Sequence, residues 1–137
     1  MTIDSNKNKF FMPVNFFSSL KIALKGLYLI IKNERNFRIQ LFTAFIIGIL
    51  GLLLHFSHQD WVSIGLLVAM VLISEAFNSS IEALSDTISQ EFRVNIKYAK
   101  DVSAGAVLIS AATSVIAGAI IIIPYILEYL RSVGIIQ

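Results

Sequence analysis

Three apolar runs, residues 39–56, 61–83 and 104–130, limit what this chain can fold into more than any other feature. Each is near the ~20 residues that an α-helix needs to cross the hydrocarbon core of a bilayer. In that core each backbone N–H and C=O has to be satisfied within its own segment, so the runs predict spanning helices. With 56% hydrophobic and only 15% charged residues, and a mean hydropathy of +0.77, the chain reads as an integral membrane protein rather than a soluble core. Its 137 residues are expected to form a single all-α domain, 1–137. The lack of cysteine excludes disulfides, thiolate catalysis and zinc–cysteine sites. A net charge of only +2 makes the position of the basic residues matter more than their number, and no nucleic-acid partner is expected.

The segment ahead of the first run is polar, basic and aromatic, and does not read as a cleavable signal. Residues 1–13 show no period and are expected to form a disordered or weakly held tail. Over residues 14–34, Phe17, Leu20, Leu24, Leu27 and Ile31 recur at helical spacing, with Lys21, Lys25 and Lys32 elsewhere on the helix. That pattern predicts an amphipathic helix suited to an anionic membrane surface. Seven Lys and Arg residues precede the first run, none lies between runs one and two, three lie between runs two and three, and Arg131 follows. The asymmetry places the N-terminus and the loop 85–103 in the cytoplasm and the C-terminus outside. Trp61, Tyr125 and Tyr129 fit an aromatic belt at one membrane face. His55 and His58 have a metal-compatible spacing but no third ligand in view, and read as interfacial residues. Small residues recur in run three (Ala106, Ser110, Ser114, Gly118) and in run one (Ala44, Gly48, Gly51), a pattern that lets helices approach closely in lipid. Three spans enclose a polar site poorly, so a homo-oligomer with sites at or near subunit boundaries is expected; the alternative that the stripes leave open is ordinary packing within one chain.

Run two does not end where its apolar stretch does. Residues 74–86, SEAFNSSIEALSD, continue it with Glu75, Asn78, Glu82 and Asp86 on one helix face, while Ala76, Phe77, Ile81 and Leu84 keep the other face apolar. An ionisable side chain at mid-membrane costs about 2.5 kcal/mol or more, so carboxylates kept there point to function. The alternative is a span that stops at Ser74 and a solvated amphipathic helix beyond it. Glu75 and Glu82 are about 10 Å apart along the axis, with Glu75 deeper. Glu34, at the end of the surface helix, could meet Glu82 at interfacial depth. Two carboxylates at the water boundary suit Mg²⁺, which is commonly held by one or two carboxylates together with substrate phosphates. A deeper carboxylate could accept a proton from a lipid hydroxyl. Lys100, just ahead of run three, could neutralise nucleotide phosphates, though Lys97 and Lys100 also serve simply as cytoplasmic charge markers. No phosphate-binding loop GxxxxGK[ST] and no protein-kinase signature is present. The residues together read as metal-assisted phosphoryl transfer from a soluble donor to a membrane alcohol.

The strings ExxNxxxExxxD at residues 75–86 and AKDxxAGAVL at 99–108, with Gly26-Leu27 and ExNFR at 34–38, resemble the prokaryotic diacylglycerol kinase/undecaprenol kinase family over residues 16–125. The resemblance implies a homotrimeric lipid kinase of the cytoplasmic (inner) membrane, with three transmembrane helices and an N-terminal surface helix per subunit, using Mg²⁺ and ATP. It implies Glu34 and Glu82 as the carboxylates that bind the metal with ATP, and Glu75 as proton acceptor for the lipid hydroxyl with Asn78 beside it. Lys100 and Asp101 resemble the nucleotide-contacting pair, Glu91 lies in the stretch that approaches the adenosine, and Phe37 and Arg38 fall where the family places the lipid acceptor. Ser79-Ser80 stands where Thr-Ala is common, and Gln40 where one branch carries histidine. AGAVL and NFRI lean toward the undecaprenol kinase branch. Two other readings are a small cation transporter or channel, which would need polar residues along the whole of run two, and a purely structural subunit. Residues 61–73 contain no ionisable side chain, which counts against the channel.

Overall fold

A computed structural model describes residues 15–88 and 93–137; the expected tail, residues 1–13, and Glu91 lie outside them. Four helices are described in order: α1 (Phe16–Asn33), α2 (Arg35–Leu53), α3 (His58–Ile88) and α4 (Val94–Ser132). The chain divides into two units, one ending at Asn33 and the other beginning at Glu34. In the first, the Asn15 side-chain oxygen accepts the Ser18 backbone N–H at 2.9 Å, which starts α1. No residue of α1 is buried, and the Lys32 ammonium stands 6.0 Å from the Tyr28 ring centroid.

In the second unit, α3 packs chiefly against α4 and less extensively against α2. All three are long and apolar enough to cross a membrane. What they bury is mostly polar: Glu75, Asn78, Ser85, Ser103 and Ser110 are inside, with Phe37, Phe56 and Ile64 the buried large apolar side chains. Leu66, Leu108, Ile109, Ile116 and Ile120 point outward. Apolar outside and polar between helices is the arrangement that hydrocarbon solvent favours.

The helices begin and end elsewhere than hydropathy places the runs. The first span, expected over 39–56, is helical from Arg35, and the Arg38 N–H reaches the Glu34 carbonyl at 3.4 Å. It stops at Leu53 because His55 adopts a left-handed φ of 54° and the Phe56 N–H turns back to the Gly51 carbonyl at 2.9 Å, a Schellman closure. α4 closes in the same way, with Gly134 at φ 72° and the Ile135 N–H on the Leu130 carbonyl. The expected loop 85–103 is largely helix: α3 runs on to Ile88 and α4 starts at Val94. Hydropathy registers transfer into lipid, whereas polar residues such as those of 94–103 continue a hydrogen-bonded ladder equally well.

Between α2 and α3, Ser57 caps the next helix. Its hydroxyl donates to Asp60 Oδ2 at 2.5 Å, while Ser57 Oγ accepts the Asp60 N–H at 3.3 Å, a reciprocal cap. Tyr125 of α4 donates its hydroxyl to the same Asp60 oxygen at 2.6 Å and accepts the Ser57 N–H at 3.2 Å. Phe56 lies 4.9 Å from the Tyr125 ring and 5.8 Å from Trp61, centroid to centroid. Trp61 and Tyr125 thus turn into a packed cluster, and of the three belt aromatics Tyr129 is the exposed one.

Gly51 lies beneath this cluster. A Cβ there would stand 2.8 Å from both Phe56 Cδ2 and Trp61 Cη2, too close for either ring to remain in place. Gly51→Val is expected to destabilise by about 1–3 kcal/mol, lowering the midpoint of thermal unfolding in detergent by roughly 5–10 °C. Gly48→Ala, whose added carbon meets nothing within 4 Å, is the control and should leave the midpoint unchanged or slightly raised. Equal midpoints for Gly51→Val and the unaltered protein would show that the rings do not depend on the glycine.

Candidate active site

The acidic face of α3 is interior at Glu75 and Asn78, half-buried at Glu82 and exposed at Asp86. Glu75 is 2% exposed and Asn78 9%, both on a helix that continues unbroken to Ile88, so at these two positions the face is packed against other helices. Glu75 lies against α2, where Gln40 Nε2 donates to Glu75 Oε2 at 3.1 Å. One turn on, Asn78 faces α4: its Oδ1 accepts the Ser103 hydroxyl at 2.7 Å and its Nδ2 donates to Glu82 Oε1 at 3.3 Å. These two bonds fix the orientation of the Asn78 amide, since a carboxylate can only accept. The Ser103 hydroxyl also lies 2.9 Å from the Lys100 carbonyl.

Beyond Glu82 the charges pair in the open. Lys100 Nζ meets Asp86 Oδ1 at 2.6 Å, and Lys97 meets Asp101 Oδ2 at 2.6 Å across one turn of α4. Exposed pairs like these contribute only about 0–1 kcal/mol, so either breaks readily when a stronger partner arrives. Asp86, the acid of the stripe with the least obvious part, is therefore the holder of Lys100. Lys100 and Asp101 stand on helix rather than loop.

The remaining candidates lie at the start of α2. Glu34 is the extended residue ahead of its first turn and makes no side-chain cap, Phe37 is 3% exposed, and Arg38 is exposed. Among the described residues no three His, Asp or Glu side chains gather to enclose a metal.

Two residues of this network, Ser103 and Gln40, are not among the candidates that the sequence singles out as site residues. Ser103 carried a signal, a small polar side chain one turn after Lys100 on a spanning helix, but which neighbour it meets depends on how α3 and α4 pair. Gln40 borders an apolar cleft of about 300 Å³ between α2, α3 and α4, lined by side chains such as Ala44, Ile64, Val68 and Val115. Thr43 and Ser114 also line it, but their hydroxyls donate to the carbonyls of Ile39 and Leu67 at 3.0 and 3.2 Å. Gln40 Oε1 is buried with no hydrogen-bond partner, the one such side-chain atom among the described residues.

Comparison with known proteins identifies the family. The family model for prokaryotic diacylglycerol kinase matches residues 21–122, from within α1 to near the end of α4. A diacylglycerol kinase of Synechocystis sp. is 32% identical over 123 residues, covering 89% of this chain and 70% of the relative. An undecaprenol kinase of Bacillus subtilis is 35% identical over 109 residues, covering 80% of this chain and 89% of the relative. With three apolar helices and a match across most of its length, this chain belongs to the prokaryotic diacylglycerol kinase family and is a multi-pass membrane lipid kinase.

Proposed function

We propose that the protein transfers the γ-phosphate of ATP, bound with Mg²⁺, to the hydroxyl of a membrane lipid, with undecaprenol favoured over diacylglycerol. The observation that carries this reading is Glu75, a carboxylate 2% exposed on a membrane-spanning helix and hydrogen-bonded to a side chain that borders an apolar cleft. A buried carboxylate beside space for an apolar chain is placed to take the proton of an alcohol held there. The hydroxyl oxygen then bonds to the γ-phosphorus, the bond from that phosphorus to the bridging oxygen breaks, and ADP leaves.

Asn78 holds the second acid in register, with Ser103 fixing the amide that reaches Glu82. Glu82 and Glu34 would hold Mg²⁺, and their hard oxygens fit it; when bound, the ion offsets phosphate charge. Lys100 exchanges Asp86 for a phosphate, and Asp101 lies beside it with Glu91 completing the nucleotide contacts. Phe37 and Arg38 border the lipid's entry. The preference for undecaprenol draws on the cleft lining as well as on the string AGAVL. Thr43 and Ser114 spend their hydroxyls on backbone carbonyls and Gln40 Nε2 is given to Glu75, which leaves those three donors unavailable to the ester carbonyls of a diacylglycerol.

The lysine and arginine distribution supports α1 on the cytoplasmic surface of the cytoplasmic (inner) membrane, the α3–α4 connection in the cytoplasm and the C-terminus outside. The resemblance in sequence supports a homotrimer. A channel would need a polar route through the outer half of α3, where the cleft is lined by Ile64, Leu67 and Val68. The deciding assay gives the full chain γ-labelled ATP in vesicles that contain undecaprenol or diacylglycerol. Label is expected in the lipid phase with both and faster with undecaprenol. Label released only as free phosphate would overturn the reading.

A further inference from the structure

We infer that Asp86 is a positioning residue that competes with the nucleotide for Lys100: its carboxylate holds the ammonium until a phosphate arrives, and so sets how tightly ATP binds. The inference deepens the reading of Lys100 as a phosphate contact and rests on it. Two observations carry it. The first is the pairing itself. Lys100 Nζ lies 2.6 Å from Asp86 Oδ1, although the two residues are 14 positions apart, one near the end of α3 and the other in the second turn of α4. Helical period does not impose such a pair, as it does for Lys97 and Asp101, four residues apart on one helix. With the Asp101 carboxylate given to Lys97, the acid that Lys100 meets is the one across the α3–α4 connection.

The second is exposure. The Asp86 side chain is 68% exposed and that of Lys100 35%, so the bond breaks in water and leaves no charge buried and unpaired. A phosphate brings more negative charge and more acceptor oxygens than one carboxylate, and it displaces Asp86 from the ammonium. Each nucleotide that binds must first break the pair, and its affinity is lower by that amount. The carboxylate is therefore an opponent of ATP rather than a contact to it. Because the pair is already broken in both the bound and the transition state, Asp86 acts on nucleotide affinity and not on the chemical step.

The test measures equilibrium binding of a non-hydrolysable ATP analogue, with Mg²⁺ present, to the full chain in mixed micelles. Asp86→Asn removes the competing charge and should tighten binding about two- to fivefold, the equivalent of one exposed ion pair. Asp86→Glu keeps a carboxylate within reach of Lys100 and should restore the original affinity. The gap between Asp86→Asn and the unaltered protein should narrow as salt rises, since the pair is open to solvent. Unchanged binding in Asp86→Asn, whether or not the midpoint of thermal unfolding moves, overturns the inference. Weaker binding overturns it too, because Asp86 would then support the nucleotide site instead of opposing it. Lys100→Met should by itself weaken the analogue by about tenfold or more, and in that background Asp86→Asn should change nothing further. The same tightening without the lysine would mean that the acid repels phosphate directly, and the competition fails. If Lys100→Met binds the analogue as the unaltered protein does, the reading of Lys100 fails, and the inference with it. If Lys100→Met weakens binding while Asp86→Asn leaves it unchanged, the inference alone fails.

Discussion

Glu75→Gln should abolish most turnover while leaving the fold intact. The substituted amide keeps the size of the carboxylate, and its oxygen can still accept the hydrogen bond that Gln40 Nε2 donates at 3.1 Å. What it loses is the ability to hold a proton. General-base assistance contributes about 10²- to 10⁴-fold, and kcat is expected to fall by that range. KM for ATP should hardly move, since Glu75 lies about 10 Å along the helix axis from Glu82. An amide costs less to bury than a carboxylate at a site 2% exposed, so the midpoint of thermal unfolding should hold or rise. Glu75→Asp retains the charge but draws it back by one methylene, and should fall between the two. Turnover of Glu75→Gln within about threefold of the unaltered protein would remove Glu75 from the proton's path.

Glu82→Gln should produce a different kinetic signature. Glu82 is partly open and receives Asn78 Nδ2 on one oxygen, a bond that glutamine's own oxygen can still accept. The loss is of negative charge where Mg²⁺ and the phosphates are proposed to sit. Disturbing a metal's surroundings commonly costs about 10–100-fold in affinity, so KM for Mg-ATP and the magnesium concentration for half-maximal rate should both rise by that order. KM for the lipid should stay near its original value. An unchanged magnesium dependence would mean that the ion is held elsewhere.

How much of this was legible in the residues differs between levels. The number, order and type of the spanning helices follow from three apolar runs, because transfer into hydrocarbon depends on composition and length. Their ends do not. Arg35 and Val94 begin helices several residues before the apolar runs, and Leu53 ends one early because His55, not a glycine, takes the left-handed position. The shared face of Glu75, Asn78, Glu82 and Asp86 follows from helical period alone, and in the structure its Glu75 and Asn78 end is interior while Asp86 is exposed. The partners of that face were not accessible in the same way. Ser103 on Asn78, Gln40 on Glu75 and Lys100 on Asp86 join residues 14 to 35 positions apart, and period within one helix cannot say which neighbour arrives at it. Trp61 and Tyr125 show the reverse problem. Both have the chemistry of an interfacial belt, and what turns them inward is Phe56 beside them and the side chain that Gly51 lacks, whose place the Phe56 and Trp61 rings occupy.

The link between α2 and α3 has a consequence for how the protein enters its membrane. In the proposed orientation it is the piece that must be carried through the hydrocarbon during biogenesis, as the tip of a helical hairpin. It has no lysine or arginine, and its Asp60 carboxylate draws on the Ser57 hydroxyl within the tip itself. The Ser57–Asp60 bond lies within the tip and needs no residue of α4, whereas the second bond to Asp60 comes from Tyr125 of that helix. A passenger that partly solvates its own charge needs less water carried with it. In that orientation the cap that starts α3 would offset part of the cost of desolvating Asp60 as the tip is threaded.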